Sequence, residues 1–94
     1  MATVTALTAS DQTVVTAGGG HGYYYGFVLC ETGGSTAHVR IYDNTANSGT
    51  LLDSIKLVAG ESVAGWYGPQ GLQYKIGIRV DVVSGTVEGS VRHG

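Results

Sequence analysis

The sequence predicts a single small all-β domain, an antiparallel β-sandwich of about seven or eight strands. Val, Thr, Tyr and Ile, the residue types that favour strands, are plentiful. Sixteen glycines, against one proline, divide the chain into short segments bounded by turn-formers. Several segments alternate apolar and polar residues, and none shows the helical period of 3.6 over ten residues or more. A length of 94 residues fits one domain with one core.

The N-terminal segment differs from the remainder of the chain. Residues 1–16 are rich in Thr, Ala and Val but alternate only weakly. They predict an N-terminal arm or one or two edge strands, attached to a β-sandwich domain of residues 17–94. The stretch AGGGHG at residues 17–22 predicts a flexible hinge.

The first strong strand is predicted at residues 23–31. Alternation places Tyr23, Tyr25, Phe27 and Leu29 on one face and Tyr24, Gly26, Val28 and Cys30 on the other. Because both faces are apolar, we expect a central strand that is covered on both sides. Tyr23 and Tyr25 are predicted to lie in the core, together with Tyr74.

The middle of the chain predicts three strands. Residues 37–43 alternate cleanly, with Ala37, Val39 and Ile41 pointing inward and His38, Arg40 and Tyr42 pointing outward. Residues 50–58 predict a strand with an irregularity, because Leu51 and Leu52 are adjacent whereas Ile55 and Leu57 alternate. A turn at residues 59–61, a short strand at 62–67 and a turn at 68–71 follow.

The C-terminal part predicts a long strand and its return. In residues 72–83, alternation points Tyr74, Ile76, Ile78, Val80 and Val82 inward. Ser84 and Gly85 fit a two-residue hairpin connection. Residues 86–93 then predict the returning strand, with Val87 and Val91 inward.

Composition excludes several classes of partner. Charged residues make up 13% of the chain, against a typical value of about 25%, and the net charge is −2. Because Lys and Arg form no run, we expect no nucleic-acid partner. No apolar stretch approaches the ~20 residues of a membrane span, so we expect no membrane partner. Cys30 is the single cysteine, and the N-terminus lacks the pattern of a secretory signal, which predicts synthesis in a cytoplasm.

Motifs for chemistry are incomplete. The glycine run at residues 18–22 precedes a strand and lacks the Lys of a phosphate loop, and Ala64 occupies the position of the second glycine of a nucleophile elbow at Ser62. Residues 43–49 miss the calcium-loop pattern. The histidines are His21, His38 and His93, without short metal-ligand spacing. We therefore expect no enzyme activity, cofactor or metal.

Aromatic residues are too numerous for one small core. Aromatic and Arg side chains are enriched at protein interfaces. The candidate interface residues are Val4, Leu7, Tyr24, His38, Arg40, Tyr42, Trp66 and Tyr67.

Residues 23–91 resemble small single-domain virion proteins of tailed bacteriophages. The likeness rests on the opening Gly22 to Leu29, the run VRIYDN at 39–44, GTLL at 49–52, GIRVDV at 77–82 and the closing GTVEG at 85–89. The resemblance implies a jelly-roll-like sandwich and a structural role in the virion, without assigning roles to particular residues. The alternation of residues does not itself separate a jelly roll from an immunoglobulin-like sandwich.

The resemblance implies a capsid decoration (cement) protein on the virion surface. Such proteins bind the major capsid protein at symmetry-related sites, often as homotrimers, and reinforce the shell. The resemblance therefore implies that this chain forms a homo-oligomer, a trimer, on the major capsid protein. We expect residues 2–10, as an arm with unpaired backbone groups, to become ordered on the shell or on a sister subunit. The alternatives are a tail or head-fibre component and a carbohydrate-binding module. In the latter, Trp66, Tyr67 and Tyr42 would form a stacking platform, with Asp43 and Asn44 as hydrogen-bonding groups.

Overall fold

The computed structural model describes residues 3–17 and 22–94, which form nine β-strands in two packed antiparallel sheets and so confirm the all-β sandwich. The strands are β1 (Thr3–Ala6), β2 (Gln12–Thr16), β3 (Gly22–Glu31), β4 (Ala37–Asp43), β5 (Thr50–Leu57), β6 (Ser62–Trp66), β7 (Leu72–Tyr74), β8 (Gly77–Ser84) and β9 (Val87–His93). Sheet 1 has the order β1-β9-β3-β6, with β7 also paired to β3, and sheet 2 has the order β2-β8-β4-β5.

The strand pairing is nested. The first strand pairs with the last, β2 with β8, β3 with both β6 and β7, and β4 with β5. The pairs β3–β9 and β4–β8 then complete the two sheets. A chain paired in this way is one long hairpin wound around a core, which is the jelly-roll topology. No helix among the described residues is long and apolar enough to cross a membrane.

The core consists of the inward side chains of both sheets. Sheet 1 contributes Leu29 and Val91, and sheet 2 contributes Val39, Ile41 and Val80, all fully buried. These residues alternate with outward ones along their strands, as the sequence predicts for residues 37–43 and 86–93. Because each fully buried Val, Leu or Ile contributes ~1.5–3 kcal/mol, this layer is the main source of stability.

The prediction of one strand over residues 72–83 is wrong. The chain forms β7 in sheet 1, bends, and continues as β8 in sheet 2. Ile76 lies at this crossing and is 50% exposed instead of pointing inward. Asp43 holds the crossing, because its carboxylate accepts hydrogen bonds from the backbone N–H groups of Lys75 (3.0 Å), Ile76 (2.9 Å) and Gly77 (3.4 Å).

The predicted hairpin at Ser84 and Gly85 is also wrong. Strands β8 and β9 lie in different sheets, so the connection is a corner between the sheets. Gly85 has a φ of +81°, and a Cβ atom there would lie 2.6 Å from the Cβ of Ala37. Both the conformation and the close approach require glycine at this corner.

A β-bulge reverses the predicted faces at the start of β3. Tyr24 lies opposite His93 and Gly26 lies opposite Arg92, which leaves Tyr25 as the extra residue. The bulge puts Tyr24 on the inward face, where it is 0% exposed. Tyr23 is exposed and Tyr25 is half-buried, so the prediction that these two lie in the core is wrong. For Tyr74 the same prediction is correct.

Both N-terminal strands are paired within the chain. β1 lies at the edge of sheet 1 beside β9, and β2 lies at the edge of sheet 2 beside β8. Thr5 Oγ1 is 2.9 Å from the buried ring of His93, which joins β1 to the C-terminal strand. Of the two predictions for this segment, an arm or edge strands, the structure has the edge strands. Of the predicted hinge at 17–22, residues 18–21, including His21, lie outside the described residues.

The predicted irregularity in β5 is present. Ile41 lies opposite Asp53 and Tyr42 lies opposite Leu51, so that Leu52 is the extra residue. Asp53 therefore shares the inward side of Ile41, at the edge of sheet 2. An inward-pointing charge on an edge strand is one of the features that discourage pairing with another sheet.

Candidate functional site

The outer face of sheet 1 has an uncharged middle row with one charged side chain on either side of it. Its side chains form three cross-strand rows, because directly opposed residues point to the same side. The rows are Val4–Arg92–Gly26–Trp66, Ala6–Ser90–Val28–Ala64 and Glu88–Cys30–Ser62. Arg92 and Glu88 are the charged members, and most of the others are small. The result is a broad, shallow surface on which Trp66 is the one large apolar side chain among the members of the three rows, and it lies at the edge.

Two aromatic rings lie together at the Trp66 edge of this face. The bulge aims Tyr25 outward, and its ring centroid lies 6.2 Å from that of Trp66 with an angle of 31° between the planes. Trp66 is 62% exposed. The ring of Tyr25 fits between two glycines, since a Cβ on Gly71 or Gly94 would lie within about 3 Å of it. The sequence predicted this aromatic pair only in part, since Trp66 was a candidate interface residue and Tyr25 was assigned to the core.

The outer face of sheet 2 has a different composition. Its rows are Thr13–Arg79–Tyr42–Leu51, Asp81–Arg40–Ser54 and Ser84–His38–Lys56. Arg40 and Asp81 are opposed across the strands, and His38 Nε2 lies 3.0 Å from Ser54 Oγ. Charged and polar side chains therefore cover most of this face, as expected of a solvated sheet surface.

A hydrogen-bond network crosses the outer face of sheet 2. Arg79 donates to Asn47 Oδ1 (2.8 Å) and Thr13 Oγ1 (2.9 Å), and Asn47 donates to Asp11 Oδ2 (2.8 Å). The backbone N–H of Val82 donates to the other Asp11 oxygen. The Asn47 amide, the Val82 N–H and the Arg79 charge lower the pKa of Asp11, against a smaller opposing effect of burial. These polar groups are already partnered within the chain.

Tyr24 and Tyr67 share one carboxylate at the edge of the sandwich. Tyr24 donates to Asp53 Oδ2 (2.7 Å) and Tyr67 donates to Asp53 Oδ1 (2.6 Å), and their ring centroids are 5.7 Å apart. Burial, with the neighbouring Asp53, raises the pKa of Tyr24 and raises that of Tyr67 to about 12. Both hydroxyls therefore stay protonated and remain donors at neutral pH. Tyr24 is a core residue, so its prediction as an interface residue is wrong.

Tyr42 does not join Trp66 in a platform. It is only 7% exposed and belongs to the outer face of sheet 2, whereas Trp66 belongs to the opposite side of the sandwich. Asp43 is occupied by backbone N–H groups, and Asn44 donates to Ser48 within its own loop. The predicted saccharide platform of Trp66, Tyr67 and Tyr42 is therefore not formed.

The remaining candidate residues are divided between the faces. Val4 is exposed on the outer face of sheet 1, Leu7 packs against the core, and Tyr67 is partly exposed. His38 and Arg40 are half-buried on the outer face of sheet 2. The Arg40 Nε atom is buried without a hydrogen-bond partner among the described residues.

Side chains that could perform chemistry are dispersed. A cleft of about 440 Å³ lies beside the ends of β4 and β5, where His38, Lys56 and Ser84 contribute its polar lining. Within residues 3–17 and 22–94, no three His, Cys, Asp or Glu side chains are grouped as metal ligands are.

Glu31 is used within the chain. Its carboxylate accepts hydrogen bonds from the backbone N–H groups of Gly60 (2.9 Å), Gly33 (2.6 Å) and Gly34 (3.1 Å). The Gly60 N–H is the main cause of its lowered pKa, with the other donors adding to it against the effect of burial. Glu31 thus joins two loops at one end of the sandwich.

Comparison with known proteins finds no matching family model, and no curated protein or solved structure is significantly similar to the chain.

Proposed function

We propose that this protein is a structural virion protein of a bacteriophage, a capsid decoration protein that binds and stabilises the head shell. The observation that carries the proposal is the unequal composition of the two outer faces. Sheet 2 covers its outer face with its own polar network, whereas sheet 1 leaves a broad face with two charges among small and apolar side chains. Depletion of charge at the centre and an aromatic anchor are the compositional features of a protein interface.

The topology supports the same proposal. Jelly rolls are frequent among viral capsid and lectin domains, so the fold agrees with a virion role without demanding it. The resemblance of residues 23–91 to small phage virion proteins points in the same direction. In this proposal the protein contributes contact surface and performs no reaction, and it acts as a homo-oligomer on the major capsid protein.

Co-sedimentation with empty heads of the phage that encodes the chain tests this proposal. We expect saturable binding of the wild-type protein. Trp66→Ala, which removes the aromatic anchor, is expected to weaken binding by about tenfold or more. Leu51→Ala is the matched control, since it truncates an exposed apolar side chain on the outer face of sheet 2, and it should bind as the wild type does. Absence of the wild-type protein from the pelleted heads would refute the capsid role.

A second candidate function is saccharide binding, and the ring pair of Tyr25 and Trp66 specifically favours it. Exposed aromatic rings bring a large apolar surface and a polar atom to a binding site. Trp66 is the single tryptophan of the chain, so its fluorescence reports on this site alone. A saturable change on titration with soluble bacterial polysaccharides, lost in Tyr25→Ala, would establish this function. An unchanged spectrum would remove it.

A further inference from the structure

The outer face of sheet 1 is self-complementary in charge. Arg92 and Glu88 lie on β9, two residues to either side of Ser90. At ~3.4 Å per residue, each lies about 7 Å from Ser90 along the strand. Among the described residues, neither side chain forms a hydrogen bond or an ion pair. The face thus presents one positive and one negative group, equally spaced about its middle row.

We infer that a second copy of this chain covers the outer face of sheet 1, face to face, about a two-fold axis that runs along the row Ala6–Ser90–Val28–Ala64. This axis reverses the strand direction and keeps each strand over its own copy. Arg92 then lies over the partner's Glu88, and Glu88 lies over the partner's Arg92. A single two-fold rotation thus forms two identical ion pairs, as an isologous contact requires. The inference deepens the proposed function by naming the homo-oligomer. The dimer formed through this face binds the shell with its remaining surfaces, and Trp66→Ala weakens head binding by separating the two subunits.

The same rotation matches large side chains with small ones. Trp66 lies over the partner's Ser62, and Gly26 lies over the partner's Cys30, because the first row is exchanged with the third. Ser90 and Val28 lie over their own copies on the axis. The small residues of the middle row allow two sheets to approach to the ~10 Å of ordinary sheet packing. Trp66 enters the space that a serine leaves, which is the arrangement of large against small that fills an interface.

The size of the face suits a dimer. The outer dimensions of the sandwich, 40 × 25 × 18 Å, set an upper limit of about 1,000 Å² for its broad side, which leaves room for the ~800 Å² per partner of a stable interface. A copy placed instead on the outer face of sheet 2 would desolvate the network of Asp11, Asn47 and Arg79. A three-fold contact would join unlike surfaces and would not bring β9 over itself.

Charge reversal tests the two-fold contact, with mass measured by light scattering over a range of concentrations. We expect the wild type to reach twice its chain mass of 9.7 kDa. Arg92→Glu and Glu88→Arg each replace two attractions with two repulsions and should raise the dissociation constant about 30-fold or more. The double exchange R92E/E88R should restore the dimer, and the two single variants should associate when mixed. Lys56→Glu makes the same charge change on the outer face of sheet 2 and should leave the mass unchanged.

Several results would overturn the inference. They are a wild type that stays monomeric or forms a trimer, single variants that dimerise normally, and a double exchange that fails to restore the dimer. Acrylamide quenching of Trp66 fluorescence tests the dimer in the wild type without any variant, since quenching should fall as the protein concentration rises.

Head binding is measured separately. A monomer that binds heads refutes the dimer and leaves the capsid role standing, whereas a dimer that does not bind them refutes the capsid role alone.

Discussion

The two outer faces of this sandwich cover the same core but use their polar groups differently. On the outer face of sheet 2, Arg79, Asn47 and Asp11 bond to one another and to the backbone. On the outer face of sheet 1, Arg92 and Glu88 have no partner among the described residues. The first arrangement contributes to the stability of the single chain. The second contributes little until another surface meets it.

This difference separates residues that stabilise the fold from residues available for binding. A side chain whose hydrogen bonds are satisfied within the chain adds little to the binding of a partner, and its substitution lowers the stability of the fold. A side chain with no hydrogen bond within the chain can contribute to binding, and its substitution changes the stability of the fold little. Substitutions of the same type on the two sheets should therefore differ in their effect on the free energy of unfolding. All stabilities are compared at concentrations where the protein is monomeric.

The largest difference is expected between two acidic residues, Asp43 of sheet 2 and Glu88 of sheet 1. Asp43→Ala removes the acceptor of three backbone N–H groups at the crossing from β7 to β8. We expect a loss of about 2 kcal/mol in the free energy of unfolding, measured by urea denaturation. Glu88→Ala should change it by less than about 0.5 kcal/mol.

Asp43→Asn supplies the control for this comparison, because it keeps one oxygen acceptor while removing the charge. Its stability should lie between those of the wild type and Asp43→Ala. Equal stabilities of the Asp43→Ala and Glu88→Ala variants would show that the crossing is held by other contacts.

A smaller difference is expected between two arginines. Arg79→Ala removes hydrogen bonds to Asn47 and Thr13 and should lower the free energy of unfolding by about 1 kcal/mol. Arg92→Ala removes no hydrogen bond recorded among the described residues and should cost less than about 0.5 kcal/mol. Urea denaturation of both variants checks the pair. If Arg92→Ala were the more destabilising of the two, the outer face of sheet 1, and not that of sheet 2, would hold the polar side chains that stabilise the single chain.

Much of the sandwich could be predicted from alternation. In residues 37–43 and 86–93, the aliphatic residues recur at every second or every fourth position, so the inward positions of Ile41 and Val91 followed directly. The adjacent Leu51 and Leu52 correctly indicated an irregular strand. Alternation identifies faces but carries no strand order, so the nesting of the jelly roll came only from the pairing.

The errors have two physical causes. In β3, both faces are apolar, so the pattern contained no signal for the bulge at Tyr25 that turns Tyr24 inward. At Ile76, the apolar residues stay in phase through the crossing, so one strand could not be told from two. The candidate face depends on register. Val4 and Trp66 could be named from the sequence, but small residues such as Ala64 acquire meaning only from the row in which they lie.

The smallest effect is expected in the dependence of stability on acid. Asp11, Asp43 and Glu31 each have a lowered pKa in the folded protein because hydrogen-bond donors surround the carboxylates. For Asp43, burial is the largest single effect and raises the pKa, but the N–H donors together lower the pKa by more. At a pH between the folded and unfolded pKa values, the unfolded chain binds more protons, so acid favours unfolding. The stabilisation is complete above the ordinary carboxyl pKa and is lost as the pH falls through the folded values.

A variant at Asp11 measures how much of this acid dependence comes from the outer face of sheet 2. Asp11→Asn removes its titration, so we expect a slightly shallower fall in stability from pH 5 to pH 2.5, measured by urea denaturation at each pH. The effect is small because Asp11 is solvent-exposed and its interactions are screened. Asn47→Ala, which removes the main hydrogen bond to the Asp11 carboxylate, should also make the slope shallower. If neither Asp11→Asn nor Asn47→Ala changes the slope, the acid-sensitive contacts do not lie on the outer face of sheet 2.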